Sequence, residues 1–269
     1  MTILLTGATG YIGSHVWIEL LQRSFDVVGI DNLSNSSIGV CSAVEKISGK
    51  KTRFIKGDVR NTEFLSQIFA THSITHVIHL AALKDAQESL FNKDEYFDVN
   101  VNGLKTLLSV MRANDCWKII FSSSAAVYGD KAISPISELS MTAPSNWYGE
   151  TKLLGEKLLS DETLKTPPID AVSLRYFNVA GRHASGLLKN NFMLGPHSLF
   201  EQIENTLISG GTLNVFGDDW GTDDGTCIRD YVHVCDIVRG HIDAMSLLDS
   251  GRGLTVLNLG SGKGDSVKR

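Results

Sequence analysis

Tyr148 and Lys152 stand four residues apart in "NWYGETKLL", just after Pro144 and a candidate helix cap at Ser145 or Asn146. On a helix that spacing puts both side chains on one face. A tyrosine hydroxyl titrates near ~10, too high for a base at neutral pH. An ammonium about 5 Å away, at an effective dielectric of about 20, favours the phenolate by roughly 3 kcal/mol, or a little over two pKa units. Lys152 and a positively charged, oxidised nicotinamide nearby are together expected to make Tyr148 a phenolate that takes a proton from a substrate hydroxyl while hydride leaves the same carbon. "FSSSAAVYGD", Phe121 to Asp130, places three serines just past a buried strand. Among them Ser124 would supply a hydrogen bond or relay the proton. Taken alone, a Tyr and a Lys at this spacing are more often an ordinary surface pair, so the surrounding elements decide.

A departing hydride needs an acceptor, and "TGATGYIGS", Thr6 to Ser14, points to one. Ile3, Leu4 and Leu5 read as a buried strand, and Tyr11 to Arg23 repeats apolar residues at helical spacing (Ile12, Val16, Leu20). Between them Gly7, Gly10 and Gly13 would let the backbone turn tightly and approach a pyrophosphate facing the free N–H groups of the helix start. A second strand, Asp26 to Ile30, ends in Asp31, close to the offset at which a carboxylate binds the adenosine ribose hydroxyls. A carboxylate there repels the extra phosphate of NADP, so NAD is the expected cofactor. The plainer alternative for Asp31 is a turn residue.

Strand signals near Ile3, Val27, Phe54, Val77 and Ile119 alternate with helical segments, which predicts an α/β doubly wound parallel sheet of the Rossmann type. One helix is expected from Asp94 to about Ala113. Beyond Pro167 and Pro168 come a strand at Ala171 to Tyr176 and a Gly/Asn-rich passage through Pro196. A helix at Leu199 to Ser209, short strands at Leu213 to Phe216 and Tyr231 to Val234, and a helix at Asp236 to Leu248 follow. The division predicted is 1–178 for dinucleotide binding with the catalytic residues, and 179–269 for a smaller mixed α/β substrate-binding part. The end, "LTVLNLGSGKGDSVKR", reads as a strand, a turn and a helix cap at Asp265 or Ser266.

Composition excludes more than it selects. A formal net charge of −5 over 269 residues, without a dense basic stretch, gives no footprint for nucleic acid or for an acidic membrane surface. Cys41, Cys116, Cys227 and Cys235 include no C-x-x-C pair, so reduced thiols and a cytoplasmic location are expected. No stretch approaches the ~18 apolar residues of a membrane span. His76 and His79, three apart in a strand, point to opposite faces, and no metal site is expected.

With "TGATGYIGSH", "DNLSNS", "GDVRN", "FSSSAAVYGD", "YGETK", "LRYFNVAG" and "DGTCIRDYVHV" in order along its length, the chain resembles the extended short-chain dehydrogenase/reductase family, in its NAD-dependent epimerase branch. The resemblance implies interconversion of UDP-glucose and UDP-galactose by transient oxidation at sugar C4, with NAD bound throughout. It assigns the cofactor to the glycine loop with Tyr11 and Ile12, and to Asp31, Asn32, Asn35 and Ser36. Asp58 and Val59 would flank the adenine. Leu80, Ala81, Ala82 and Lys84 would lie along the nicotinamide half, with Phe177 beside the ring. Asn178, Leu199, Asn214, Phe216 and Arg229 would surround the UDP-sugar together with Ser124 and Tyr148. Plainer alternatives are a solvated cap for Lys84, a core position for Phe177 and an ion pair of Arg229 with Asp230 or Asp236; a guanidinium nonetheless suits a diphosphate by geometry and charge. A homodimer through the two long helices is the family tendency.

Departures from the family pattern touch both ligands. Val99 stands where an Asn is usual, with Asn100 beside it; an acidic loop is shortened to "HASGLLKNN"; Ser198 replaces an Asn before Leu199. The resemblance further implies a C-terminal segment, carrying an arginine that grips UDP, which this sequence lacks. Three readings compete with the epimerase. A nucleotide-sugar dehydratase would carry an Asp-Glu pair after the serine, where Ala125 and Ala126 stand here. Another epimerase or a decarboxylase of the family is compatible with the same motifs. A non-catalytic NAD-binding protein or an inactive truncated form is the alternative outside catalysis.

Overall fold

The computed structural model describes residues 1–188, 199–215, 217–251 and 253–268. The chain opens β1 (Thr2–Thr6), α1 (Tyr11–Gln22), β2 (Asp26–Asp31), α2 (Gly39–Ser48), β3 (Arg53–Lys56), α3 (Thr62–Thr71) and β4 (Ile74–His79). It continues through α4 (Lys93–Phe97), α5 (Gly103–Ala113), β5 (Lys118–Ser124), α6 (Trp147–Thr163), β6 (Asp170–Tyr176) and β7 (Asn178–Ala180). The last elements are α7 (Leu199–Ser209), β8 (Ile228–Arg229), β9 (Tyr231–His233), α8 (Val234–Leu248), β10 (Leu254–Leu259) and β11 (Asp265–Ser266).

Seven strands pair in parallel in the order β10-β6-β5-β4-β1-β2-β3. Because crossovers put helices on both faces, the inner strands are apolar without alternation, and Ile3, Leu4 and Leu5 are all fully buried. One core layer packs Val16, Trp17 and Leu20 of α1, Val44 of α2 and Ile237 of α8 against the sheet. On the opposite face stand Leu65 of α3, Leu104 and Leu107 of α5 and Leu159 of α6. Strand order reverses between β1 and β4, which opens a crevice at their carboxyl ends, where open α/β sheets bind ligands. The doubly wound sheet expected from the alternating signals is thus present, with a small mixed region of two-stranded pairs, β7 with β9 and β8 with β11.

Local structure departs from the sequence expectations at three places. The single helix expected from Asp94 is broken by a turn of π-helix at Asp98–Asn102. There the buried Asn100 side chain leaves the helical ladder to bond Leu83, accepting from its N–H (2.8 Å) and donating to its carbonyl (2.9 Å). Leu213 to Val215 form no strand, and Phe216 lies outside the described residues. Asp265–Ser266 pairs with β8 as a short strand instead of capping a helix. Part of the Gly/Asn-rich passage, 189–198 with Ser198, also lies outside the described residues.

Burial lowers His15, His76, His79 and His241 and makes the fold acid-sensitive, as two of them illustrate. His15 accepts the His183 N–H on Nε2 (3.1 Å) and donates from Nδ1 to the Tyr11 carbonyl (2.7 Å). His241 likewise accepts from the Tyr176 hydroxyl on Nε2 (2.7 Å) and donates from Nδ1 to the Ile237 carbonyl (2.9 Å). Both partner sets require the neutral ring, and burial pushes each value down to about 4. The unfolded chain binds these protons first, so stability is complete above about pH 6.5 and is lost as pH falls toward 4, by on the order of 3 kcal/mol for each ring. Denaturant midpoints across that window are expected to fall steeply in the wild type and less steeply in His241→Gln; a flat profile would refute this account.

Candidate active site

A cleft of about 1270 Å³ runs along the carboxyl ends of the strands. One end is lined by Gly7, Gly10, Tyr11, Ile12, Gly13, Asp31, Asn32, Asn35, Ser36, Asp58 and Val59. Leu80, Ala81, Ala82 and Lys84 continue the wall to Ser124, Tyr148, Lys152 and Phe177, and Asn178, Leu199, Asn214 and Arg229 close the far side. Apart from Phe216, which is not described, the sequence-predicted residues therefore meet in one cavity. Among the described residues, no cluster of His, Cys, Asp or Glu suits a metal, and no helix is long and apolar enough to cross a membrane.

The glycine loop is built for close backbone approach. Gly7 has a left-handed backbone (φ +68°), and a Cβ on it would lie 2.8 Å from the Ala81 nitrogen across the sheet. A Cβ on Gly13 would lie 2.0 Å from the Gly7 carbonyl oxygen, so the last glycine seats α1 against the turn. No side chain caps α1 at Gly10 and its first turn holds no acid, which leaves a positive helix end facing the cleft. Asp31 accepts from the Thr9 N–H (3.2 Å) and the Leu33 N–H (2.8 Å), fixing its carboxylate at the end of β2. Asn32 donates to Asp58 (3.0 Å), and two further bonds from the Arg60 guanidinium hold the Asp58 carboxyl well below the usual range. An uncapped helix start, a fixed carboxylate and a cleft of this size fit a dinucleotide.

Tyr148 and Lys152 share the cleft-facing side of α6, whose start is capped by Asn146 accepting from the Gly149 N–H (2.8 Å). Lys152, only 3% exposed, donates from Nζ to the Ser122 carbonyl (2.7 Å) and sits 5.8 Å from the centre of the Tyr148 ring. The expected lowering of the Tyr148 value by Lys152 is not found. Burial raises the Tyr148 hydroxyl, with Ser124 at its side pulling weakly the other way, and burial lowers Lys152 to about 7. The cause is common to both: a site shielded from water disfavours the phenolate and the ammonium alike.

Several contributors were not visible as motifs. Ser89 accepts the Tyr148 N–H (3.1 Å) and donates to the Ala86 carbonyl (2.6 Å), while Asn100 donates to Thr151 (3.0 Å), whose hydroxyl bonds the Tyr148 carbonyl (2.8 Å). Together they pin the wall from Leu83 to Ser89 onto α6, and only their position between motifs could have flagged them. Val99 lines the cleft and Asn100, bonded to Leu83 and Thr151, does not. Arg229 makes neither expected ion pair. Its guanidinium lies 5.9 Å from the Trp220 ring, Asp230 bonds the backbone of Ser261 and Gly262, and Asp236 pairs with Arg239. Cys227, Tyr231 and Val267 join Arg229 on that wall.

Known proteins share both the sequence and this architecture. The UDP-glucose 4-epimerase of Pasteurella multocida is 43% identical over 269 residues, an alignment covering 99% of this chain and 80% of that protein. The UDP-glucose 4-epimerase of Dictyostelium discoideum is 42% identical over 267 residues, covering 98% and 78%. The crystal structure of the Stenotrophomonas maltophila UDP-glucose 4-epimerase, with bound NAD and formylated UDP-arabinopyranose, superimposes with a TM-score of 0.94 at 38% identity, covering 100% of this chain and 80% of the other. The Bifidobacterium longum UDP-glucose 4-epimerase in complex with NAD+ and UDP gives 0.93 at 40% identity, with the same coverages. Residues 3–260 match the family profile described as NAD dependent epimerase/dehydratase, and the chain belongs to that family.

Proposed function

We propose that this chain interconverts UDP-glucose and UDP-galactose by transient oxidation at sugar C4 with bound NAD. The observation that carries the reading is the convergence of Tyr148, Lys152 and Ser124 with the glycine loop and Arg229 in one cleft. The NAD and UDP seen in two structurally similar epimerases support it. Residues 1–178 hold the dinucleotide and the reactive groups, and 179–269 supply most of the UDP-sugar side. NAD, when bound, supplies the acceptor and then the donor of the C4 hydride.

The protein's part is proton handling and grip. Tyr148 lifts the proton of the sugar 4-hydroxyl and holds it until it returns to the inverted alcohol, while Ser124 steadies the oxygen. Lys152, anchored on the Ser122 carbonyl, is the cation that favours the tyrosinate. Burial opposes both charges, and the positive charge of the oxidised cofactor, when bound, would add to Lys152 in favouring the tyrosinate. Arg229 grips the diphosphate, and binding energy concentrated on UDP leaves the sugar free to turn over between the two hydride transfers. The family profile spans epimerases and dehydratases; Ala125 and Ala126, in a tight turn after Ser124, provide no acid or base for removing water.

The test is conversion of UDP-galactose to UDP-glucose by the purified chain with no added NAD. Conversion at substoichiometric protein supports the reading. A protein that carries NAD and converts neither these sugars nor their N-acetyl counterparts would overturn it in favour of a binding role.

A further inference from the structure

Behind the cleft lies a buried polar network that the reaction does not touch. Glu156 follows Lys152 by one turn on the same face of α6, and both Glu156 and Arg175 of β6 are 5% exposed. The Glu156 carboxylate accepts from the Ser123 hydroxyl (2.6 Å), the Ser173 hydroxyl (3.0 Å) and both Nε (2.9 Å) and a terminal nitrogen (2.6 Å) of Arg175. Arg175 also donates to the Tyr128 hydroxyl (2.8 Å), which donates to Asn258 of β10 (2.6 Å). Neither Glu156 nor Arg175 lines the cleft.

Two of the partners adjoin residues that line the cleft. Ser123 stands between Ser122, whose carbonyl holds Lys152, and Ser124. Arg175 precedes Tyr176 and Phe177, and Tyr128 follows the tight turn after Ser124. A buried ion pair is a weak source of stability, since apolar side chains of similar volume often serve as well. What it adds is direction: four bonds to one carboxylate set the helix against two strands, which non-directional apolar contact does not do.

We propose that the Glu156–Arg175 pair is a positioning device for the reaction, setting α6 on β5 and β6 so that Lys152 meets the Ser122 carbonyl and Tyr148 meets Ser124. This rests on the reading of Tyr148 as the base.

The test uses the NAD-loaded chain and three variants: S123A, which removes one bond to the carboxylate; S123T, which keeps the hydroxyl; and E156M/R175M, which removes one charge of each sign. Rates and KM for UDP-galactose are measured beside NAD content, thermal midpoint and a tyrosinate titration taken as the difference from Y148F. S123A and the double variant are expected to keep fold and NAD, to lose about tenfold or more in kcat with KM within about twofold, and to shift the Tyr148 titration; a misplacement of about 1 Å can cost a hundredfold. S123T is expected to restore both. The double variant is charge-balanced and S123A changes no charge, so a titration shifted in both reports displaced geometry and not a lost net charge. Wild-type kcat and titration in S123A and the double variant would overturn the proposal, as would losses in step with lost NAD or fold. If the double variant does not fold, S123A decides. If the wild type carries NAD but converts no UDP-sugar, the reaction reading has failed, and the titration of S123A against wild type still decides the positioning.

Discussion

Tyr148→Phe is expected to lower the conversion of UDP-galactose to UDP-glucose by at least about a hundredfold, the lower end of what general acid–base groups contribute. The substitution removes the oxygen that would hold the substrate proton and leaves the ring. Apart from its contact with Ser124, that oxygen has no part in seating α6. The helix start is held by the Asn146 cap, by the Tyr148 N–H on Ser89 and by Thr151 on the Tyr148 carbonyl, all through backbone groups of residue 148 or its neighbours. Folding and NAD content should therefore match the wild type, which separates lost chemistry from lost structure. Ser124→Ala, which removes the steadying partner and the cap it offers the Ala126 N–H (3.1 Å), should cost less, on the order of tenfold. The rate is read as UDP-glucose formed by purified protein without added NAD. A Tyr148→Phe enzyme retaining more than about a tenth of wild-type kcat would remove Tyr148 from the role of base.

The parts of this molecule legible in its sequence are those governed by local pattern. Continuous apolar runs bounded by turns mark strands buried on both faces, and they located β1 to β6 and the glycine turn after β1. The Tyr148–Lys152 spacing put two groups on one helix face for the same reason. What escaped pattern was set by contacts between distant residues. The π turn at Asp98–Asn102 goes with the bonds of Asn100 to Leu83 and Thr151, and no periodicity announces a side chain that leaves its own helix for another element. Ser89 under Tyr148 and Glu156 between Ser123 and Arg175 are likewise ordinary residues until the fold assembles them. Burial of Tyr148 opposes the shift expected from Lys152, and the spacing could not show this because it reports a neighbouring charge and says nothing of how much water surrounds it. Asp265 and Ser266 look like a helix cap by residue type, yet their backbone is taken by β8.

Gly13→Ala is the second large effect, and it acts on the scaffold instead of the chemistry. A single added methyl would sit 2.0 Å from the Gly7 carbonyl oxygen and 2.9 Å from the Gly7 carbonyl carbon, both backbone atoms that cannot swing aside. Relief requires α1 to move off the turn, or Gly7 to move toward the Leu80 and Ala81 backbone, where a Cβ on Gly7 would already lie within 2.9 Å of two atoms. Either movement displaces the uncapped start of α1 from the place where it would face a pyrophosphate. The expected cost is about 3 kcal/mol or more, the upper part of the range for overpacking, together with loss of bound NAD. Gly49→Ala is the control. Its backbone is also left-handed (φ +69°), but nothing lies within 4 Å of the added carbon, so only the conformational cost of about 1–2 kcal/mol applies and NAD is retained. Thermal midpoint and NAD released on denaturation measure both effects. If Gly13→Ala purified with a full complement of NAD, the glycine turn would not be what seats the cofactor, and the NAD site would have to rest on Asp31 and the far wall alone.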